Sequence, residues 1–479
     1  MKRILLLAAL LVAASQPIFA QSSNLIYGSS RNPLMNSVNP AFFPNNSRIY
    51  LALPNVNLDL ASPVAYSDLF TYIPEEQRSV INANQLLDNL TTNNILFNTN
   101  VHAVGLGINT GRIFLTASVQ AKVNLMVGLP NGLATLIQEG NVNHLGPDNP
   151  IELLDGQLIS LQSYAEGAVG LGLKLGDHMT VGFRGKLLVG AADFSNAGSS
   201  LKLYTAEDYS SLTADLDVNF HLASTIVSFD TAKNKVDIKQ PTGIPNNRGF
   251  NFDIGARYSN DLFELSASLL DLGPGIHWTE GIQRVVSKNE DNRFEFSGID
   301  ISNVMQGGSL DSNIIGDLKD SLMQMVKLKF IDNDQDDYWT VIPTKINIGG
   351  MLHLTKGVSA GVLFHGEFER GTVKKGDLYE TKVTGFHSNT SLIARVNLAD
   401  WVEVIAATSV INSNDKWDWV NPGIGLTLTP LRTIQIYTFL DYISNIYLVD
   451  AKQFNISFGV NLLLGRDRKK QDYDEELLY

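Results

Sequence analysis

The stretch 453–464 reads QFNISFGVNLLL, and its side chains alternate between apolar and polar nearly throughout. Successive side chains of a strand point to opposite faces, so this stretch predicts a strand with one apolar face and one polar face. The stretches 250–258 and 344–354 repeat the alternation. In 453–464 the apolar face consists of Phe454, Ile456, Phe458, Val460, Leu462 and Leu464.

Strands with this pattern come in pairs, and a turn of only a few residues joins the two members of each pair. The turns contain Gly, Asn, Asp or Pro, which are the usual turn formers. They are Asn109-Thr110-Gly111, Gly176-Asp177, Ser259-Asn260-Asp261, Lys356-Gly357, Ala399-Asp400 and Pro430-Leu431. Most connections between pairs are much longer. Tight turns at one rim and long loops at the other are typical of a barrel that crosses an outer membrane.

Six hairpins give twelve strands, and segments at the two ends of the pattern add two more. We therefore predict an all-β fold, a 14-stranded antiparallel transmembrane β-barrel over residues 48–464 with long extracellular loops. Strand-like runs at 201–229 and 282–301 indicate either a sheet on the outer loops or two additional strands. The spacing within 303–328 predicts a helix. At Pro54 the apolar set shifts by one residue, which indicates either a bulge or the end of a short strand.

The composition agrees with strands that face lipid. Hydrophobic residues make up 44% of the chain and charged residues 18%, yet no apolar run of 18 residues follows residue 20. Residues 1–20 have a basic start, a short apolar core and a small residue at Ala20, the pattern of a secretory signal peptide. Residues 465–479 form a charged tail, which we expect in the periplasm. The net charge of −13 argues against a nucleic-acid partner.

No local motif predicts catalysis, so we expect no enzyme and no cofactor. The chain has no cysteine, which excludes disulfides and thiolate metal sites. Asp332, Asp334 and Asp336 alternate as in a calcium loop, but Asp337 stands where such a loop has glycine. They are a weak calcium candidate, and a solvated acidic loop is the alternative.

The segment 21–47, between the signal peptide and the first strand, is polar, broken by proline and without strand pattern. It contains Asn39, Pro40 and Ala41. With this motif before a 14-stranded barrel, the chain resembles the FadL-type outer-membrane transporters and the PorV-like barrels associated with type IX secretion. It also resembles an uncharacterised outer-membrane barrel family common in Bacteroidota, through the run 269–273. The resemblance implies that 21–47 is an N-terminal plug and that the barrel lies in the lipid of the cell outer membrane.

The FadL-like layout implies transport of hydrophobic small molecules across the outer membrane. Apolar loop residues either form an acyl-sized ligand pocket or pack among themselves. They are Val64, Leu69, Phe70, Leu133, Leu136 and Ile137. The alternative function is that of an accessory or structural barrel, similar to PorV, in protein secretion or cell-surface assembly. Its partners would be secretion-system or surface proteins.

Overall fold

The structure is a computed structural model. It describes residues 24–44, 47–62, 67, 70–73, 78–81, 94–128, 132, 135–136, 140–155, 159–196, 199–217, 219–230, 235–238, 243–287, 293–296, 328–332, 337–375, 378–413, 416–441 and 453–465. The predicted signal peptide at 1–20 lies outside these residues. So do nearly all of the helix predicted within 303–328 and all but the first residue of the charged tail.

Fourteen long strands form a closed ring in which each strand is antiparallel to both neighbours. They are β1 (Ile49–Ala52 and Asn55–Ala61), β2 (Asn94–Asn109), β3 (Ile113–Gly128), β4 (Ile159–Leu175), β5 (Met179–Ser195), β6 (Arg248–Ser259), β7 (Phe263–Trp278), β8 (Lys345–His353), β9 (Val358–Lys375), β10 (Leu378–Ala399), β11 (Val402–Ser413), β12 (Lys416–Leu428), β13 (Ile434–Asp441) and β14 (Gln453–Leu464). The ring closes because β1 pairs with both β2 and β14. The predicted 14-stranded antiparallel barrel is confirmed.

All six predicted tight turns lie between the strands that they were expected to join, and all lie at the same rim. The chain also enters and leaves the barrel at this rim, since Ile49 pairs with Leu464 and with Ile108. We call it the tight-turn rim and the opposite one the loop rim. An even number of strands requires both ends of the barrel at one rim, as in bacterial single-chain barrels.

The strands place polar side chains inside the ring and apolar side chains outside it. On β14, Asn455 and Asn461 are buried, whereas Phe458 and Leu464 are exposed. Val169 on β4 is 67% exposed. A sheet in water would bury these apolar side chains, so the medium around the ring is lipid. The protein is therefore an outer-membrane β-barrel.

The first strand is broken where its apolar pattern shifts. Its two parts flank Leu53 and Pro54. Against β14 the register moves by one residue across this break, whereas against β2 it is continuous. Of the two alternatives from the sequence, the bulge is the one present, because the strand resumes at Asn55 and pairs with the same two neighbours, β2 and β14.

Further strands extend the wall at the loop rim or form separate sheets. Asn219–Ser224, Ile282–Ser287, Leu328–Asp332 and Tyr338–Thr340 continue the wall. A separate sheet contains Ile151–Asp155, Ser200–Thr205, Leu212–Asp217 and Arg293–Phe296, and two hairpins contain Phe70–Ile73 with Arg78–Ile81 and Val227–Asp230 with Lys235–Ile238. Before the first strand lie the short helices α1 (Asn24–Gly28) and α2 (Met35–Val38). Within the described ranges, no helix is long and apolar enough to span a membrane.

Candidate solute site in the barrel lumen

Residues 24–44, which we call the luminal segment, lie inside the ring. Strands on all sides of the barrel bond to this one short segment, and only an enclosed position allows that. The hydrogen-bonding partners include Thr116 on β3, Arg184 on β5, Ser268 on β7, Asn347 on β8, Ser391 on β10, Ser409 on β11 and Asn461 on β14.

The luminal segment occupies the half of the lumen next to the tight-turn rim. The hydroxyls of Ser29 and Ser30 donate to the Glu403 carboxylate, each at 2.6 Å. Glu403 is the second residue of β11, directly after a tight turn. The Arg31 guanidinium donates to the Ala399 carbonyl at 2.9 Å, at the same turn. Charge-assisted bonds of this kind are stronger than neutral ones, so they hold the segment at this rim.

Apolar contacts also hold the luminal segment. On β10, β11 and β13 the inner face carries Ile393, Ile405 and Phe439, which pack with Leu25 and Ile26 of the segment. Ile405, Phe439 and Leu25 have no exposed surface. Burying one such side chain contributes about 1.5–3 kcal/mol. We call the inner-face residues Ile393, Ile405 and Phe439 the apolar clamp.

Tyr27 joins the luminal segment to the opposite wall. Its hydroxyl bonds to the Ser266 hydroxyl on β7, and its ring packs edge-on against Phe42 at a centroid distance of 5.1 Å. Burial raises the pKa of the Tyr27 hydroxyl, so this contact stays uncharged.

The predicted plug motif lies against a pair of glycines in the wall. The Asn39 side chain donates to the carbonyls of Ala256 and Ala267 at 3.4 and 3.2 Å. Gly182 on β5 pairs with Gly255 on β6. A Cβ on Gly182 would lie 2.1 Å from the Pro40 carbonyl oxygen, and one on Gly255 would lie 2.1 Å from Asn39 Oδ1. The motif can therefore approach the wall only because both positions lack a side chain.

A cavity of about 330 Å³ lies on the loop-rim side of the luminal segment. Ile26, Leu34 and Val38 of the segment border it, and the inner faces of β1–β5, β7–β9 and β14 supply most of the remaining lining. Its volume is at the lower end of the range for small-molecule sites.

Amide side chains form a continuous belt around part of this cavity. Asp59 on β1 pairs with Asn455 on β14 and with Asn98 on β2. Asn98 pairs with Asn124 on β3, which in turn pairs with Gln162 on β4. All five side chains line the cavity. We call this row the amide belt, and it contains one carboxylate, Asp59.

Apolar side chains follow one step closer to the loop rim. Leu96 on β2 pairs with Met126 on β3, directly beyond Asn98 and Asn124. Leu270, Ile342 and Phe368 add apolar surface from β7, the segment before β8 and β9. The cavity therefore offers an apolar region next to a polar belt, which suits a solute with both kinds of surface.

Ion pairs line the rest of the cavity wall. Inside a barrel such charges are desolvated, so each needs a partner of opposite sign. The pairs are Lys122–Glu166 at 2.7 Å, Arg184–Asp253 at 2.7 Å, Lys186–Asp253 at 2.7 Å, Lys186–Asp271 at 2.6 Å and Lys345–Glu367 at 3.4 Å. Four cationic side chains are thus matched by carboxylates within the described residues.

The run 269–273, which carries part of the family resemblance, lies where the pairing of β7 with β8 stops. Leu270 pairs with Lys345, and pairing resumes only between Ile276 and Thr340. In this interval Asp271 has a φ of 59°. The Asn251 side chain on β6 donates to the Asp271 carbonyl at 3.3 Å and accepts from the Gly275 amide at 3.1 Å. These two bonds thereby replace part of the inter-strand hydrogen bonding that is interrupted between Leu270 and Ile276.

Only two residues of the predicted loop pocket are among those that the structure describes. Val64, Leu69, Leu133 and Ile137 lie outside the described residues. Phe70 lies in the strand Phe70–Ile73, and Leu136 is half-buried. Leu136 does not border the cavity. The loop pocket stays a prediction.

The weak calcium candidate also stays a prediction. Asp334 and Asp336 lie outside the described residues, and Asp332 is the last residue of the strand Leu328–Asp332. Where the structure describes the chain, no group of three or more His, Cys, Asp or Glu side chains is arranged to hold a metal ion.

Comparison with known proteins identifies a family but no function. A family described as of unknown function, DUF5723, matches residues 40–441. No curated protein matches the sequence. Matching solved structures include a Pseudomonas aeruginosa FadL homologue, with 10% identity, coverage of 93% of this chain and 99% of that chain, and a TM-score of 0.43.

Two further matching structures are toluene transporters. They are Ralstonia pickettii TbuX, with 10% identity, coverage of 90% of this chain and 94% of that chain and a TM-score of 0.44, and P. putida TodX, with 8% identity, coverage of 93% and 94% and a TM-score of 0.39. These values are too low to carry an argument about function. The family match, in contrast, spans most of the sequence, and the chain belongs to the DUF5723 family.

Proposed function

We propose that this barrel carries small molecules across the outer membrane through its lumen, with the luminal segment acting as the plug. The observation that supports the proposal is the position of the cavity. It lies directly against Ile26, Leu34 and Val38 of the segment. A solute bound there needs only a displacement of this one segment to reach the periplasmic side.

The lining supports a solute with an apolar part, in agreement with the hydrophobic ligand predicted from the sequence. Leu96, Met126 and Phe368 provide apolar surface, and the amide belt provides hydrogen-bonding groups beside it. Such a combination binds an amphiphilic molecule better than a pure hydrocarbon, because the amides would otherwise lose their bonds to water. The predicted loop residues would form a binding site that the solute reaches before it enters the luminal cavity.

A crosslink between the luminal segment and the wall tests the proposal. The chain has no cysteine, so N24C with S391C creates a single pair at a contact of 2.8 Å between the native side chains. Closing this pair with a short bifunctional thiol reagent would prevent the segment from leaving. Uptake into proteoliposomes would be measured for a panel of alkylamines, fatty acids and aromatic compounds.

We expect at least one compound of the panel to enter wild-type proteoliposomes faster than empty liposomes. The crosslink should abolish that uptake, and cleavage of the linker should restore it. The single variants N24C and S391C, treated with the same reagent, are the controls. Uptake that continues in the crosslinked protein, or no uptake of any compound by the wild type, would contradict the proposal.

An accessory role in secretion or surface assembly is the second candidate. The separate four-stranded sheet, which includes Ser200–Thr205 and Leu212–Asp217, supports it, since such a structure adds surface beyond what a transport barrel needs. Capture of the native protein in mild detergent with a stoichiometric surface protein would favour this role. Recovery of the barrel alone would count against it.

A further inference from the structure

One carboxylate in the cavity has no cationic partner. Asp59 is only 2% exposed. Among the described residues, no Lys, Arg or His nitrogen lies within ion-pair distance of it, and its Oδ1 has no hydrogen-bond partner. Its Oδ2 accepts a long bond of 3.4 Å from Asn98, and the Asn455 side chain on β14 also bonds to the carboxyl group. A buried charge in this condition is costly unless something else balances it.

The cations of the cavity wall are each already paired with another carboxylate. Lys122 is held by Glu166, Lys186 by two carboxylates and Lys345 by Glu367. Within the described lining and its direct ion-pair partners, five anionic side chains face four cationic ones. Counted in their ionised forms, these groups leave one carboxylate, Asp59, without a cation. Burial disfavours the charged form of such a group until a cation binds beside it.

The groups around Asp59 favour a ligand that donates hydrogen bonds. The Oδ1 atom of Asn100, at the next inner-face position of β2, has no partner. An ammonium group offers three donors and one positive charge. It would therefore balance the Asp59 carboxylate and could donate to the Asn100 amide oxygen.

We infer that the cavity binds a small organic cation, with its ammonium group on Asp59 in the amide belt and its apolar part along Leu96 and Met126. This inference names the solute class of the transport proposed above and rests on it. The apolar side chains lie one residue pair beyond the belt, closer to the loop rim. A short alkylamine thus spans from the carboxylate to the apolar region.

The test uses n-butylammonium and its uncharged analogue 1-butanol as probes. Isothermal titration of the full-length protein in detergent should give binding of n-butylammonium and none of 1-butanol at the same concentrations. D59N should weaken n-butylammonium binding by at least about tenfold, because the amide cannot pair with the charge. D177N removes a carboxylate at an exposed tight turn and serves as the matched control, with binding unchanged.

The thermal unfolding midpoint of D59N shows whether the variant folds. We expect it to equal or exceed that of the wild type, since the amide keeps the shape of the side chain and replaces a carboxyl group whose charged form burial disfavours. Equal binding by D59N and wild type, or no binding by the wild type, would overturn the inference. Loss of n-butylammonium binding in an equal concentration of KCl would also overturn it, because the site would then hold an alkali ion.

Binding and transport are measured separately, so their failures are distinguishable. Crosslinked N24C/S391C should still bind n-butylammonium while its uptake is blocked. If uptake continues in the crosslinked protein but binding depends on Asp59, the transport proposal fails and the cation site stands. If the crosslink blocks uptake of other compounds and n-butylammonium does not bind, the cation site fails alone.

Discussion

The two halves of the lumen have different inner surfaces. Next to the tight-turn rim, β10, β11 and β13 present Ile393, Ile405 and Phe439, and the luminal segment covers them. Toward the loop rim, other strands present amides and ion pairs around a cavity. The filled half thus combines an apolar clamp with hydrogen bonds to the luminal segment, whereas polar and charged side chains make up most of the cavity lining.

The largest expected effect is in the filled half. F439A removes a ring with no exposed surface from the apolar clamp. We expect a loss of about 3–5 kcal/mol in the free energy of unfolding, because a void replaces packed atoms. Urea unfolding in lipid vesicles measures it. L96A is the counterpart in the other half and should cost less, since Leu96 already borders the cavity. Equal losses of unfolding free energy in F439A and L96A would show that the two halves of the lumen are packed equally tightly.

A smaller effect is expected where the plug motif meets the wall. G182A places a Cβ against the Pro40 backbone, which cannot rotate away. We expect the luminal segment to shift, at a cost of about 1–3 kcal/mol, and to become cleavable by protease near Asn39. The control is G167A on β4, where a Cβ would meet nothing within 4 Å. A protease pattern in G182A identical to that of the control would show that the motif does not depend on this close contact.

The smallest effect concerns the bonds at the tight-turn rim. E403Q keeps the shape of the side chain but removes the charge that Ser29 and Ser30 donate to. The expected loss is about 1 kcal/mol, because neutral hydrogen bonds replace charge-assisted ones. Thermal unfolding of E403Q would be compared with that of E207Q, a loop variant. If E403Q unfolds at the same temperature as E207Q, the charge of Glu403 does not contribute to holding the luminal segment.

The barrel could be predicted from the sequence because its determinants are local. Alternation within 453–464 depends on neighbouring residues, and each tight turn consists of a few consecutive residues. The even strand count and the common rim for both ends follow from these. The break at Pro54 was left open between two alternatives, because only pairing with β14 distinguishes a bulge from a strand end.

The candidate site could not be assembled in the same way. The amide belt joins Asp59 to Asn455, residues that meet only through the closure of the ring. Lys186 on β5 and Asp271 on β7 form an ion pair although β6 lies between their strands. A signal was nevertheless present, since Asn55, Asn57 and Asp59 repeat on the polar face of the first strand. The predicted ligand pocket was placed in the loops because apolar residues outside the strands are conspicuous, whereas polar residues inside a strand pattern are expected in any barrel.

The conductance of the barrel in a planar bilayer tests most directly whether the luminal segment closes the lumen. Single-channel currents of the wild type would be compared with those of a variant that lacks residues 24–44. We predict no steady current for the wild type and a steady current for the deletion variant, because the ring closes through β1 and β14 without the segment. A wild-type current as large as that of the deletion variant would contradict a lumen divided into a filled half and a solute-binding half.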